Sequence, residues 1–471
     1  MYHSSLLHLL YTATLSRVIA ANPEVILSTG TFRGLTTPNG TDRFLGVPYA
    51  QPPVGNLRFK APVAITTPFP GIQDALQFGS IINRSVEIGK PIVFVSINYR
   101  LNTFGFLAST HVPVEDLNAG LQDQRAAFTF IQENVAEFGG DPDKSAGAGS
   151  VEAQIIFPSN RSLFRGAIMD SMTGPFKNSP APSTFDLPGK PFDITLKAVD
   201  CPAGPAAFAC LQQAPFDLLV NFSNTQISDT LNNQFWEPTI APGSFSPVRA
   251  SSKVAAGDFL HIPMIAGTNL NEGATFTDTI LGLNSTGAAQ DSLFDKFILE
   301  SVIDQTKVTS DVLSRIHSLY PANTPTLPFS TGDSLFDRAS AWYGDNMFLA
   351  ARRRFVDSAA SLQPVFAYHF REFIPGNNVT FGVAHASELP LLFGGPIPAS
   401  DVELEFANTY LDFYLNFISD LNPGPAWPQF SPETNLILQL KRDNITPIVD
   451  NFREEMTDFL NSVEVLDEWE K

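Results

Sequence analysis

The sequence predicts an α/β protein, with a mixed or mostly parallel sheet covered by helices on both faces. Three observations lead there. Short, almost wholly apolar runs such as Ile92–Asn98 (Ile-Val-Phe-Val-Ser-Ile-Asn) have the pattern of strands buried on both faces. Longer amphipathic stretches such as Val402–Phe417 have the spacing of helices with one apolar side. The two kinds alternate along 471 residues, and no stretch between them has the composition of a flexible linker. Residues 21–471 therefore read as one large domain with helical insertions.

Taken in order, Val25–Arg33 and Arg43–Val47 read as short strands, and the prolines of Pro48–Pro53 mark a rigid loop. Ile92–Asn98 follows as a strand. Asn118–Phe138 reads as a helix, with Asn118 as its cap and Leu121, Ala127, Phe128, Ile131 and Val135 near one face. Gly139–Lys144 is a loop and Ser145–Phe157 a second helix. Ala167–Met169, Met264–Gly267, Val365–Phe370 and Leu436–Leu440 read as strands. Asp337–Ala360, Val402–Phe417 and Phe452–Leu466 read as helices.

Composition excludes some functions. The net charge is −19, from 29 basic and 48 acidic residues, so a nucleic-acid backbone would be repelled unless a basic stripe offset it. The densest basic cluster is Arg352-Arg353-Arg354, close to Asp345 and Asp357, and makes no such stripe. Residues 1–20 resemble a signal peptide, with an apolar run at Leu6–Leu15 and small residues ending at Ala20. No other stretch is long and apolar enough for a membrane span. Seven Asn-X-Ser/Thr sequons begin at Asn39, Asn83, Asn160, Asn221, Asn284, Asn378 and Asn444, candidate glycosylation sites in an extracellular chain. Cys201 and Cys210 are the two cysteines. They read either as a disulfide closing a small loop or as two buried thiols, and a secretory context favours the disulfide.

Chemistry has few candidates. Among seven histidines there is no HExxH and no Cys/His cluster, so metal catalysis is not expected. Neither a GxGxxG after a strand nor a Walker-type loop occurs, so no nucleotide cofactor is expected. Ser145-Ala146-Gly147 stands before a helix, where a serine is either an ordinary cap or a nucleophile served by the next backbone N–H. Glu272 follows the Met264–Gly267 strand. His385 lies with Glu388 in a segment, Gly382–Glu388, that reads as a loop or a helix start. Ser145, Glu272 and His385 fall in the order nucleophile, acid, histidine. A serine hydroxyl needs a histidine to take its proton, and the carboxylate fixes the histidine tautomer.

Longer motifs carry a resemblance. Phe44-Leu45-Gly46-Val47-Pro48-Tyr49-Ala50-Gln51-Pro52-Pro53, Asn118-Ala119-Gly120-Leu121-Gln122-Asp123-Gln124, Phe138-Gly139-Gly140-Asp141-Pro142, Phe164-Arg165-Gly166-Ala167-Ile168 and Asn271-Glu272-Gly273 span nearly the whole chain. With Ser145-Ala146-Gly147 and His385, they resemble the type B carboxylesterase/lipase family, which includes the cholinesterases, and in particular its secreted fungal members. The resemblance implies an α/β-hydrolase fold. It also implies hydrolysis of small-molecule or lipid esters through a Ser145/Glu272/His385 triad, with Ala146 N–H as an oxyanion donor. No metal or organic cofactor is implied. Cys201 and Cys210 match a family disulfide.

Two departures stand out. The family places its serine in G-x-S-x-G at the end of a central strand, whereas Lys144 directly precedes Ser145 here. Between about Ser85 and Lys90, relatives carry a longer segment with a glycine-rich oxyanion loop, and no Gly-Gly-Gly occurs in this chain. Both gaps read as internal deletions, and the nucleophile strand is expected to be missing. Two readings compete with the active esterase: a secreted binding or structural member of the fold without turnover, and the product of an incomplete gene model.

Overall fold

The computed structural model describes residues 22–37, 40–74, 81–142, 146–147, 151–172, 178–230, 235–323, 331–393 and 401–471. The expected signal peptide, Asn39 and Ser145 lie outside the described residues. The chain divides into two compact units, one of residues 1–47 and 68–78, the other of residues 48–67 and 79–471.

In the smaller unit, β1 (Glu24–Leu27) and β2 (Gly30–Arg33) form an antiparallel hairpin. The two-residue strands β3 (Leu35–Thr36) and β4 (Asp42–Arg43) pair with each other, and β5 (Ile72–Asp74) adds parallel to β2.

The larger unit is built on a six-stranded sheet. Its strands are β6 (Ala146–Gly147), β7 (Gly166–Asp170), β8 (Met264–Asn269), β9 (Val365–Phe370), β10 (Leu436–Leu440) and β11 (Thr446–Val449). They lie side by side in sequence order, parallel except for β11. Every residue of β8 and β9 is buried, as an apolar strand covered on both faces should be.

Side chains leave a strand to alternate faces, and the core divides accordingly. On one face Met169, Met264, Ala266, Val365, Ala367 and Ile437 pack with Val151, Ile155 and Ile156 of helix Val151–Ile156 and with Phe355 and Val356 of helix Ala350–Ala359. On the other, Ile168, Ile265, Phe366, Tyr368, Leu438 and Leu440 pack with Tyr410, Tyr414 and Phe417 of helix Asp401–Asp420. A third cluster joins helices Gly287–Leu299, Ser310–Leu319 and Ser334–Gly344 through Phe294, Phe297, Ile316, Phe336 and Trp342. Thr309 and Asp333 cap the last two by accepting from Val312 N–H (3.3 Å) and Phe336 N–H (3.2 Å).

Several expectations need correction. Ile92–Asn98 forms no regular element and pairs with no strand among the described residues, and Val93, Phe94 and Val95 are exposed. A strand needs a ladder partner, and the described sheet ends at β6, which is two residues long. The helix expected from Ser145 begins only at Val151, because Ala146 and Gly147 take the ladder place beside β7. The expected helix at 118 runs Ala119–Asn134, but Asn118 does not cap it. Its amide is buried against Thr239, donating to the carbonyl at 2.8 Å and accepting from the N–H at 3.0 Å. The long helix expected from Asp337 is interrupted by a π turn at Asp345–Leu349. The terminal helix splits into Glu454–Leu460 and Val463–Glu468. β11 is an additional strand, with Pro447 tolerated because it lies on the sheet edge.

Cys201 and Cys210 form a disulfide with Cα atoms 5.7 Å apart. Arg352 and Arg353 are buried, and both donate to the Asp450 carboxylate at 2.8–2.9 Å. The densest basic cluster of the sequence is thus consumed inside the fold. Of the described sequon asparagines, Asn160, Asn221, Asn284, Asn378 and Asn444 are exposed, and Asn83 is half-buried. Among the described residues no helix is long and apolar enough to cross a membrane.

Candidate functional site

The site forms beyond the carboxyl ends of β7 and β8, where parallel sheets present loops rather than ladder. β8 ends at Asn269, and the turn after it brings Glu272 back over the strand end. Gly273 makes this turn possible. A Cβ there would lie 2.0 Å from Ser340 O and 2.7 Å from Gly344 N, both backbone atoms of helix Ser334–Gly344. Only a residue without a side chain lets the acid turn pack so closely against that helix.

Glu272 is 3 % exposed and its two oxygens are fully engaged. Oε1 accepts from Ser171 Oγ (2.6 Å) and from Asn269 N–H (2.6 Å). Oε2 lies 2.8 Å from Nδ1 of His385. A carboxylate only accepts, so the Nδ1 nitrogen carries the proton and Nε2 is the basic nitrogen of the ring. His385 is partly exposed and flanked by the rings of Phe348 (4.9 Å) and Phe276 (5.2 Å). Ser171 and Ala386 both have left-handed backbones, with φ of 55° and 65°. Non-glycine residues held this way cluster at functional sites, and these two adjoin the acid and the histidine.

The histidine loop is stitched to the acid loop. Asn271 N–H donates to Val383 O and Asn271 Oδ1 accepts from Val383 N–H, each at 2.9 Å. Asn269 Nδ2 donates to Ala384 O at 2.8 Å. A cavity of about 20 Å³ lies behind Glu272, lined also by Asn269, Asp345 and His369.

Further acids surround the pair. Asp170, the last residue of β7, accepts from Tyr414 Oη and from Tyr368 Oη (2.9 Å). Burial raises its carboxyl above the ordinary range, against the pull of those two bonds. Glu388, 1 % exposed, accepts from Asn269 Nδ2 at 2.5 Å. Burial, followed by the charge of Asp170, pushes it up to about 7. His369, in β9, is held neutral by burial at a pKa of about 3, which leaves it no part as a base.

Glu272 and His385 are thus brought together as the sequence order expects, and Ser145 lies outside the described residues. Ala146, the expected oxyanion donor, aligns with Gly166 at the start of β7. That is the opposite end of the strand from Ser171, four residues or about 13 Å from Asp170 at ~3.3 Å per residue. Sequence reasoning overlooked Ser171, Asn269 and Asn271. Asn271 directly precedes Glu272 and Asn269 stands two residues before that, and their type, two short amides just ahead of an acid at a strand end, was the available signal.

Comparison with known proteins gives a consistent picture. The carboxylesterase family profile matches residues 21–81 and 79–460. A secreted triacylglycerol lipase of Gibberella zeae is 24 % identical over 548 aligned positions, covering 94 % of this chain and 90 % of its own. That span exceeds the 471 residues of this chain, so the relative carries segments absent here. Lipase 2 of Geotrichum candidum is 28 % identical over 82 % of this chain and 70 % of its own. EstA of Aspergillus niger has the same fold, with a TM-score of 0.81 at 22 % identity over 95 % of this chain and 99 % of that one.

Proposed function

The chain belongs to the carboxylesterase family, and from that premise we propose that it hydrolyses carboxylic esters by acyl transfer to Ser145. His385 takes the serine proton through Nε2 and returns it to the leaving alcohol. Glu272 holds the Nδ1–H tautomer and stabilises the imidazolium that forms. Ala146 N–H is the oxyanion donor that the resemblance implies, a role that requires the Ser145–Gly147 segment to reach the His385 end of the sheet, and water then releases the acyl group. No metal or organic cofactor enters the proposed reaction. The substrate class is small-molecule or lipid esters, in keeping with the relatives named as lipases, one of them as secreted. An extracellular chain glycosylated at its exposed sequons is part of the same proposal.

The observation that supports this best is the buried Glu272–His385 pair at 2.8 Å, with both carboxylate oxygens occupied. Such a pair is the acid–base half of a serine hydrolase. The test is incubation of the purified chain with p-nitrophenyl butyrate and, separately, with an alkyl phosphonate that traps activated serines. The expected result is turnover that Ser145→Ala and His385→Ala abolish, with the phosphonate mass on the Ser145 peptide. The absence of both turnover and adduct refutes the proposal.

A second reading has its own support. The alignment of Ala146 with the start of β7 favours a member that keeps the fold without turnover. Loss of one oxyanion donor alone costs roughly 10²–10³ in rate. Under this reading the phosphonate leaves the chain unlabelled while the fold stays intact.

A further inference from the structure

Asn269 bonds the acid Glu272 and residues on both flanks of His385, and nothing in the triad chemistry asks for an asparagine at that point. We infer that Asn269 is a positioning residue: its side-chain amide clamps the histidine loop to the acid loop, and the Glu388 carboxyl locks that amide in place. The inference deepens the ester-hydrolase reading and rests on it for its catalytic meaning, although the clamp itself is a matter of geometry.

Three bonds carry the argument. The backbone N–H of Asn269 donates to Glu272 Oε1 at 2.6 Å. Its Nδ2 donates to Ala384 O, the carbonyl next to His385, at 2.8 Å. The same Nδ2 donates to Glu388 Oε2, three residues beyond His385, at 2.5 Å. One residue at the end of a central strand thus holds the acid and both flanks of the histidine. It is 3 % exposed, so solvent does not compete for those bonds.

The chemistry selects asparagine. Two acceptors, a carbonyl and a carboxyl, face one nitrogen, which must therefore be the amide NH2 and supply both its protons. Aspartate would set an oxygen against two oxygens and add charge beside Asp170, Glu272 and Glu388. Leucine would fill the space and offer no donor. Asn271 also bonds across the two loops, but through Val383, one residue further from the imidazole. Glu388 is buried and held to a pKa of about 7, a carboxyl that already resists ionisation and accepts the amide in either protonation state.

The experiment uses the full chain labelled with ¹⁵N-histidine and, separately, with uniform ¹⁵N. The Nδ1–H proton shared by His385 and Glu272 gives a low-field signal, identified by its loss in His385→Ala. Asn269→Ala keeps the backbone N–H to Glu272 and removes only the clamp. The expected result is loss or broadening of that signal, with amide exchange at 384–388 at least ~10-fold faster and the rest of the sheet unchanged. Glu388→Gln still offers an acceptor oxygen and keeps the signal. An unchanged signal and unchanged exchange in Asn269→Ala overturn the inference, as does a Glu388→Gln variant that loses as much. Should Asn269→Ala fail to fold, the parent decides. Slowly exchanging Nδ2 protons of Asn269 support the clamp, and rapid exchange removes it. Ester turnover is read in parallel. A clamp signature without turnover removes the proposed function alone. Turnover with kcat and KM untouched by Asn269→Ala overturns the positioning role and leaves the ester-hydrolase reading standing.

Discussion

His369 gives a pH dependence whose size follows from its surroundings. It lies in β9, 2 % exposed, with its ring 5.0 Å from Phe452. Burial, reinforced by Arg352 and Arg371, lowers its pKa to about 3. In the unfolded chain the ordinary value is about 6.5. Above pH 6.5 neither state holds this proton. Below it the unfolded chain binds a proton that the folded chain refuses, so stability falls as pH falls, until about pH 3. The slope is about 1.4 kcal/mol per pH unit, which gives about 3 kcal/mol at pH 4.5. Buried carboxyls act in the opposite sense. Glu388, Asp170 and Asp345 are raised, so the folded state takes up their protons first and gains stability on acidification. Comparing the parent with His369→Phe, which keeps a ring and loses the titration, cancels those contributions. The variant's stability relative to the parent should climb by about 3 kcal/mol between pH 7 and pH 4.5, whatever the offset at pH 7. Urea unfolding followed by tryptophan fluorescence at four pH values, disulfide intact, measures it. A difference that stays flat within about 0.5 kcal/mol over that range would refute the reasoning.

Three further outcomes are expected. Gly273→Ala drives a Cβ to 2.0 Å from Ser340 O, so it should cost about 1–3 kcal/mol or more, seen as a lower urea midpoint. Asp450→Asn leaves Arg352 and Arg353 buried without their counter-charge and should cost about 3–5 kcal/mol by the same measurement at pH 7. The Asp450 carboxyl is held well below the usual range by Arg352 and Arg353 despite its burial, so the parent keeps this contribution down to strongly acidic pH. Replacing Cys201 and Cys210 together by alanine opens a loop of nine residues' separation. That should cost roughly 2–3 kcal/mol, read as a shift in thermal midpoint that reductant no longer deepens.

The parts of the fold that were legible in the sequence are those whose residues carry their own reason. β8, β9 and β10 are apolar runs that neighbours bury on both faces, and their bounds matched the expected ones within two residues. The Cys201–Cys210 bond and the Glu272–His385 contact join residues that the family resemblance had singled out; residue type and chain order by themselves left both open. Ile92–Asn98 has the same composition as those strands and is not one, because pairing depends on a neighbour and not on the run itself. Asn118 has the residue type of a cap, yet a partner 121 positions away claims its amide. Asn269 and Ser171 act through contacts across 115 and 101 positions, which no local pattern encodes.

The segment at 92–98, which has no strand partner among the described residues, bears on the fate of the chain in a cell. It contains no charge, proline or glycine, and its residues favour the extended state. Val93, Phe94 and Val95 are each more than 40 % exposed. A heptapeptide of that kind is the sort of sequence that stacks into cross-β assemblies and that folding chaperones hold back. The net charge of −19 slows the approach of one copy to another without masking the segment itself. Two charged substitutions at its exposed positions should therefore lower the aggregation of the purified chain, read by light scattering, with the Glu272 and His385 loops untouched.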